Sequence, residues 1–269
     1  MTAMQRLASL FLFSLVALGC APTRPDPASA LHAPAPPYTL ERFRDDAKIV
    51  DGVQTLVVDN PYGEITVRKT SASVIAWEGV EQRIGAKPRI ARIEPFHEGV
   101  RQGVRVRYPG LDPNAPANPR LGRVDLYVFV PAGYNVDLRS DFGTITARKI
   151  EDDIRARSRS GMIVTASRGS VDLESQTGEI RAFAMQGLGS KPSRLVTQGN
   201  ILADIPVFDD LSVEVKAAGK FRSSFALDSQ TKDTHGNTVA RWKHGSGTNR
   251  MFLHSGADVV LQTLDKPIP

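Results

Sequence analysis

A single cysteine, Cys20, occurs among 269 residues, so no intramolecular disulfide and no cysteine-based structural zinc site can form. Histidine is nearly as scarce. Of His32, His97, His235, His244 and His254, the last three are spaced by 9 and 10 positions, unlike the close pairs of zinc hydrolases, and no HExxH occurs. A GxSxG elbow, a Walker loop and a dinucleotide fingerprint after a predicted strand are also missing. These absences point to no metal and no cofactor. Charge of one sign is in slight excess only: 34 Lys and Arg against 29 Asp and Glu leave +5, too little to imply a nucleic-acid partner. Aromatic residues make up just 7% of the chain. What is present is 41% hydrophobic residues, enough for a packed core, with 22 Gly and 18 Pro, a balance that leans toward turn-rich β structure.

The N-terminus indicates an address. Arg6 precedes the apolar run Leu7–Leu18, whose 12 residues fall short of the roughly 20 needed to span a bilayer and suit the core of an export signal. Cys20 then follows Val16-Ala17-Leu18-Gly19 directly. This resembles the lipobox of bacterial lipoproteins, in which the cysteine is acylated and becomes the first mature residue. Two or more acyl chains are what stable anchoring requires. Ala21 stands where an aspartate would usually retain a lipoprotein in the inner membrane, so the resemblance implies the outer membrane, on its periplasmic face or at the cell surface. Residues 21–37 contain six prolines and no hydrophobic periodicity, as an extended spacer would; at ~3 Å per residue it reaches about 50 Å. The expected organisation is a signal over 1–19, a lipidated Cys20 with its tether to 37, and a single β domain over 38–269.

Within that domain one template recurs. Val136-x-Leu138-x-Ser140-x-x-Gly143-x-Ile145-x-Ala147 aligns without gaps on Ile154 to Thr165, around Ser158 and Gly161, and on Val171 to Ala182, around Ser175 and Gly178. An earlier copy, Leu56 to Val67, carries Asn60 and Gly63, and two later copies shorten the turn by one residue around Gly199 and Gly219. A degenerate last copy lies in Met251 to Leu261, around Gly256. Apolar positions two apart mean a strand with one face buried. A glycine between two such strands suggests a tight turn that favours positive φ, and the small residue before it lets the chain bend without filling the corner. One unit cannot bury its own face, but stacked units can. The fold expected is therefore all-β: a stacked β-solenoid, or two-sheet β-roll, with the glycines 18, 17, 21 and 20 residues apart from Gly143 to Gly219.

Outward positions repeat as well. Overlaying the gapless copies puts Asp137, Arg155 and Asp172 in one column and Arg139, Arg157 and Glu174 in the next. Opposite charges facing across strands stabilise a register, so the run Arg155 to Arg159 is read as a ladder rather than an anion patch. Met162 and Val164 fall on the outer side of the template, as a surface patch for a partner or under a covering segment. Asp152-Asp153 and Asp209-Asp210 sit in connections, where solvated turns are expected. The region from about 81 to 123 breaks the pattern; 81–99 suggests a short helix or an irregular crossover, and 109–122 a proline-rich loop. Residues 229–250 suggest a hairpin or loop.

Residues 53–67, the stretch 128–147, the recurring Ser-x-x-Gly-x-Ile units and the closing 245–261 together resemble the bacterial putative-adhesin family, over about residues 40–263. The resemblance implies an exported, often lipid-anchored β-solenoid without established catalytic residues. The function expected is that of a non-catalytic envelope lipoprotein, attached to the membrane by its lipid and offering a rigid surface to a protein or glycan partner. The alternative is a carbohydrate-active β-helix enzyme such as a polysaccharide lyase, which would need a deep groove lined by several unpaired carboxylates or a bound calcium.

Overall fold

Alternating burial runs through most strands of the repeated pairs, and it determines how they pack. A computed structural model describes residues 38–84, 91–109, 123–184, 191–205 and 210–263; the signal, Cys20, the tether, most of the 109–122 loop and Asp209 lie outside them. The first described elements are β1 (Tyr38–Lys48), the pair β2 (Thr55–Asp59) and β3 (Ile65–Thr70), and β4 (Val74–Ile84). Next come β5 (Arg92–Glu98), β6 (Arg101–Arg107) and β7 (Arg123–Pro131). Four pairs follow: β8 (Asn135–Ser140) with β9 (Ile145–Ile150), β10 (Ile154–Ser158) with β11 (Ile163–Ser167), β12 (Val171–Ser175) with β13 (Ile180–Ala184), and β14 (Ser193–Thr197) with β15 (Ile201–Ile205). The C-terminal part holds β16 (Leu211–Ala217), β17 (Phe221–Ser223), β18 (Ser229–Lys232), β19 (Thr238–His244), β20 (Asn249–Ser255) and β21 (Val259–Thr263).

Every described element is a strand. The ten-stranded sheet runs β1-β4-β7-β3-β9-β11-β13-β15-β21-β17, and the eleven-stranded sheet β18-β19-β16-β20-β14-β12-β10-β8-β2-β6-β5. Each rung contributes one strand to each sheet, so the described residues form a two-sheet β-solenoid of eight parallel rungs. Antiparallel strands cap both ends of the eleven-stranded sheet and the β7 end of the ten-stranded one. Pro95, which cannot donate to a ladder, lies in the edge strand β5 and is tolerated there.

Inside, identical positions pile up. Leu126, Ile65, Ile145, Ile163, Ile180, Ile201 and Val259 are neighbours in register along the ten-stranded sheet, and each is at most 1% exposed. Val104, Val58, Leu138, Ala156, Leu173, Leu195, Leu253 and Val215 form the facing column. Each large side chain buried this way contributes roughly 1.5–3 kcal/mol relative to exposure.

Rung order departs from chain order at both ends. The copy at Gly63 is an interior rung: β2 lies between β6 and β8, and β3 between β7 and β9. The copy around Gly256 is interior too. β20 separates β14 from β16, and β21 separates β15 from β17, so the copies at Gly199 and Gly219 are not adjacent. The three-residue, partly exposed β17 has little to offer a second neighbour and occupies the edge, while the regular, alternately buried β20 fills the interior. The described parts of 81–99 are strand rather than helix, and β18 and β19 form the hairpin.

The turn glycines act differently from the sequence expectation. Gly63, Gly143, Gly161, Gly178, Gly199 and Gly219 all lack positive φ; among the described residues the glycines with positive φ are Gly52, Gly99, Gly133, Gly236, Gly245 and Gly247. Close approach between rungs is what demands them. A Cβ on Gly143 would lie 1.9 Å from the Gly63 carbonyl oxygen, and one on Gly161 would lie 1.9 Å from that of Gly143. The small residue before the glycine, three positions back or two in the shorter turn of Thr197 and Gly199, is likewise more than a space saver. Ser140 Oγ donates to the Gly63 carbonyl at 2.9 Å and accepts from Gly143 N at 2.9 Å. Ser175 bridges Gly161 and Gly178 in the same way, and Thr197 bridges Gly178 and Gly199. A buried hydroxyl ladder thus satisfies polar groups that the core would otherwise strand.

Candidate functional site

The two outer faces of the solenoid differ in how their charges are settled. On the eleven-stranded sheet, Asp137, Arg155, Asp172 and Arg194 are successive neighbours. Arg101 meets Asp137 at 2.6 Å, Arg194 meets Glu174 at 3.1 Å, and Arg157 pairs with both Asp172 and Glu174. Arg139 and Arg157 are like-charged neighbours, but Arg139 has Asp141 at 3.6 Å. The run Arg155 to Arg159 therefore contributes to a neutralised ladder. These pairs are half exposed, so each adds little: a double-mutant cycle on Arg157→Ala and Glu174→Ala is expected to give a coupling of about 0.2–1 kcal/mol in urea unfolding, and zero coupling would count against the ladder.

A groove of about 370 Å³ follows the start of these strands. Its carboxylates are engaged: Asp137 by Arg101, Asp153 by Lys191 at 2.8 Å, and Asp172 by three arginines. The hydrogen bond from Lys191 to Asp153 raises the lysine's pKa. Asp152 accepts from Gly133 N and Asp153 from Ser170 N, both as connectors between rungs. Asp210 accepts from Ser246 N, which holds its carboxyl below the usual range. Among the described residues no group of three or more His, Cys, Asp or Glu side chains could hold a metal ion. His97 is on β5, His235 in the β18–β19 turn, His244 at the end of β19 and His254 on β20.

The ten-stranded sheet presents a different outer face. Thr66, Thr146, Val164, Arg181, Leu202 and Val260 form one outward column. Val164 and Met162 are half-buried, and the exposed Arg181 separates Val164 from Leu202, so the apolar patch is interrupted. In the next column Arg68 lies directly opposite Arg148, which lies opposite Ala166. β9 then bulges. Ala166 faces Arg148 and Ser167 faces Ile150, leaving Lys149 as the extra residue at φ 61°, the one positive-φ residue other than glycine among those described. The bulge returns Ile150 to the core, 3% exposed, and turns two consecutive cations to solvent.

Beneath the bulge is a cavity of about 490 Å³ whose rim carries Lys69, Lys149 and Arg168. Its single acid, Glu151, is held by Lys69 at 2.8 Å; that hydrogen bond, with a smaller field from Arg168, lowers the carboxyl's pKa. Arg68, Arg148, Lys149 and Arg168 have no carboxylate within ion-pair distance among the described residues. Sequence reasoning placed the patch at Met162 and Val164 and missed this corner, because Arg68 and Arg148 meet only through a rung order that the repeat does not reveal.

A two-sheet β-solenoid with a ladder of ion pairs on one outer face and a corner of unpaired cations at the edge of the other is the class of protein defined here. No family model and no curated protein matches the chain. Among solved structures it is similar to a putative cell adhesion protein from Clostridium sporogenes, at 10% identity over 83% of this chain and all of that one, with a TM-score of 0.46. A putative adhesin from Bacteroides fragilis is similar at 8% identity, over 83% of this chain and 97% of that one, with a TM-score of 0.37.

Proposed function

We propose that the protein is a non-catalytic envelope lipoprotein, anchored through Cys20 at the outer membrane, whose solenoid offers the outer face of its ten-stranded sheet to a protein or glycan partner. The observation that carries this reading is the asymmetry between the faces. One carries a run of ion pairs from Arg101–Asp137 through Arg157–Glu174 to Arg194–Glu174; the other sets Arg68 against Arg148 with no acid between them, beside half-buried Val164 and Met162. Like charges across neighbouring strands destabilise a sheet, and a bound partner would relieve that repulsion. The lipobox-like segment and the proline-rich spacer agree with a domain held away from its membrane.

Photo-crosslinking in cells tests it. A photoreactive residue replacing Val164 in the acylated, full-length protein is expected to trap a discrete partner, whereas the same residue at Glu174 is expected to trap none. Adducts from Glu174 alone, or from neither position, would sink the assignment of the face.

A further inference from the structure

We infer that the corner formed by the ends of β3, β9 and β11 is a binding site for an acidic saccharide, a sugar bearing carboxylate or phosphate groups; this rests on the partner-binding reading above and names the ligand class. At about 490 Å³, the cavity lies within the range of roughly 300–1,000 Å³ common to small-ligand sites. Three kinds of group converge there. Lys149 and Arg168 have no carboxylate within ion-pair distance among the described residues, and the one acid of the lining, Glu151, is held by Lys69, so both cations remain for charge-assisted bonds to an anionic group. Thr70 and Ser71 are hydroxyl residues in its lining, the complement of a sugar's own. Ala166 and Ile150 supply an apolar portion of the wall against which the C–H face of a ring can lie.

The outer face extends the site. Arg68 and Arg148 are in register on adjacent strands, about 4.8 Å apart in backbone spacing and well inside the ~8 Å screening length at physiological salt. A second acidic unit of the same chain would bridge them. The backbone is also set for the purpose: Lys149 occupies a left-handed conformation that costs a residue with a side chain stability, and such strain collects at ligand sites. The groove on the other sheet is of comparable size but already neutral, with Arg101, Arg155 and Lys191 against Asp137, Asp153 and Asp172.

Calorimetric titration of the full-length acylated protein in detergent, at 0.15 M salt, tests the site with tetragalacturonate, neutral maltotetraose and inorganic phosphate. Saturable binding of tetragalacturonate, none of maltotetraose, and a rise in melting temperature with the acidic sugar are expected. Arg148→Ala with Arg168→Ala should weaken tetragalacturonate roughly tenfold or more, while Arg241→Ala with Arg250→Ala, which removes the same charge elsewhere, should not. Lys149→Gly should weaken binding while melting no lower than the parent, because glycine accepts that φ freely. Equal affinity for maltotetraose, displacement of the sugar by an equal concentration of phosphate, or undiminished binding in the Arg148/Arg168 pair would each overturn the assignment. Adducts at Val164 in cells without tetragalacturonate affinity would overturn the ligand class alone and leave the binding face standing.

Discussion

Gly161→Ala is expected to cost roughly 3 kcal/mol or more, lowering the melting temperature by about 6–12 °C in a domain of this size. The added methyl would sit 1.9 Å from the Gly143 carbonyl oxygen and 2.7 Å from its carbon. Both are backbone atoms of a neighbouring rung, so no side chain can swing away. Relief requires the two rungs to part locally, which stretches the parallel ladder and opens the Ile145–Ile163 contact in the core. Gly52→Ala is the informative comparison. Gly52 has φ +85° and nothing within 4 Å of a Cβ, so only conformational strain applies, worth about 1–2 kcal/mol. If turn strain governed the repeat glycines, the two variants would melt alike or Gly52→Ala would be worse. Thermal denaturation of both decides the matter, and Gly161→Ala melting within 2–3 °C of the parent (about 1 kcal/mol) would remove close approach as the cause.

Ser140→Ala is expected to destabilise by about 2–6 kcal/mol, since two polar groups of the corner lose their shared partner at roughly 1–3 kcal/mol each. Ser140 is fully buried. Its hydroxyl receives the Gly143 N–H and donates to the Gly63 carbonyl, both at 2.9 Å. Alanine fills the same space apart from one oxygen, so packing changes little and the loss reports the hydrogen bonds. Ser140→Thr keeps the hydroxyl, as Thr197 does at the equivalent corner, and should lose less. Urea unfolding should show a lower midpoint with unchanged slope for Ser140→Ala. A change below 0.5 kcal/mol, the size typical of surface substitutions, would mean that the ladder is incidental.

How much of this was legible depends on the range over which each feature is encoded. Apolar alternation such as Val136, Leu138, Ile145 and Ala147 is local, and a strand with period two declares which face it buries. Registers across consecutive copies follow from equal templates, which is why Arg155 and Asp172 could be placed side by side from sequence. The glycine positions were visible but their cause was not, because a contact with the rung below leaves no mark distinct from a positive-φ turn. The candidate corner was the least legible part. It needs Arg68 beside Arg148, a bulge at Lys149, and Glu151 drawn off by Lys69, and none of these is a property of a short stretch.

By itself, the amino-acid sequence determined the class of fold, the rung as its unit and the inward set of side chains, since all three rest on a period of two repeated within a few residues. Only the tertiary structure decided which rung lies on which. Every copy offers much the same apolar faces, so the pattern alone is nearly indifferent to stacking order, and the selection comes from the ends: strands such as β17 that can saturate one neighbour go to the margin, and regular ones such as β3 and β20 are drawn between others. From that order followed the meeting of unmatched cations on a single face.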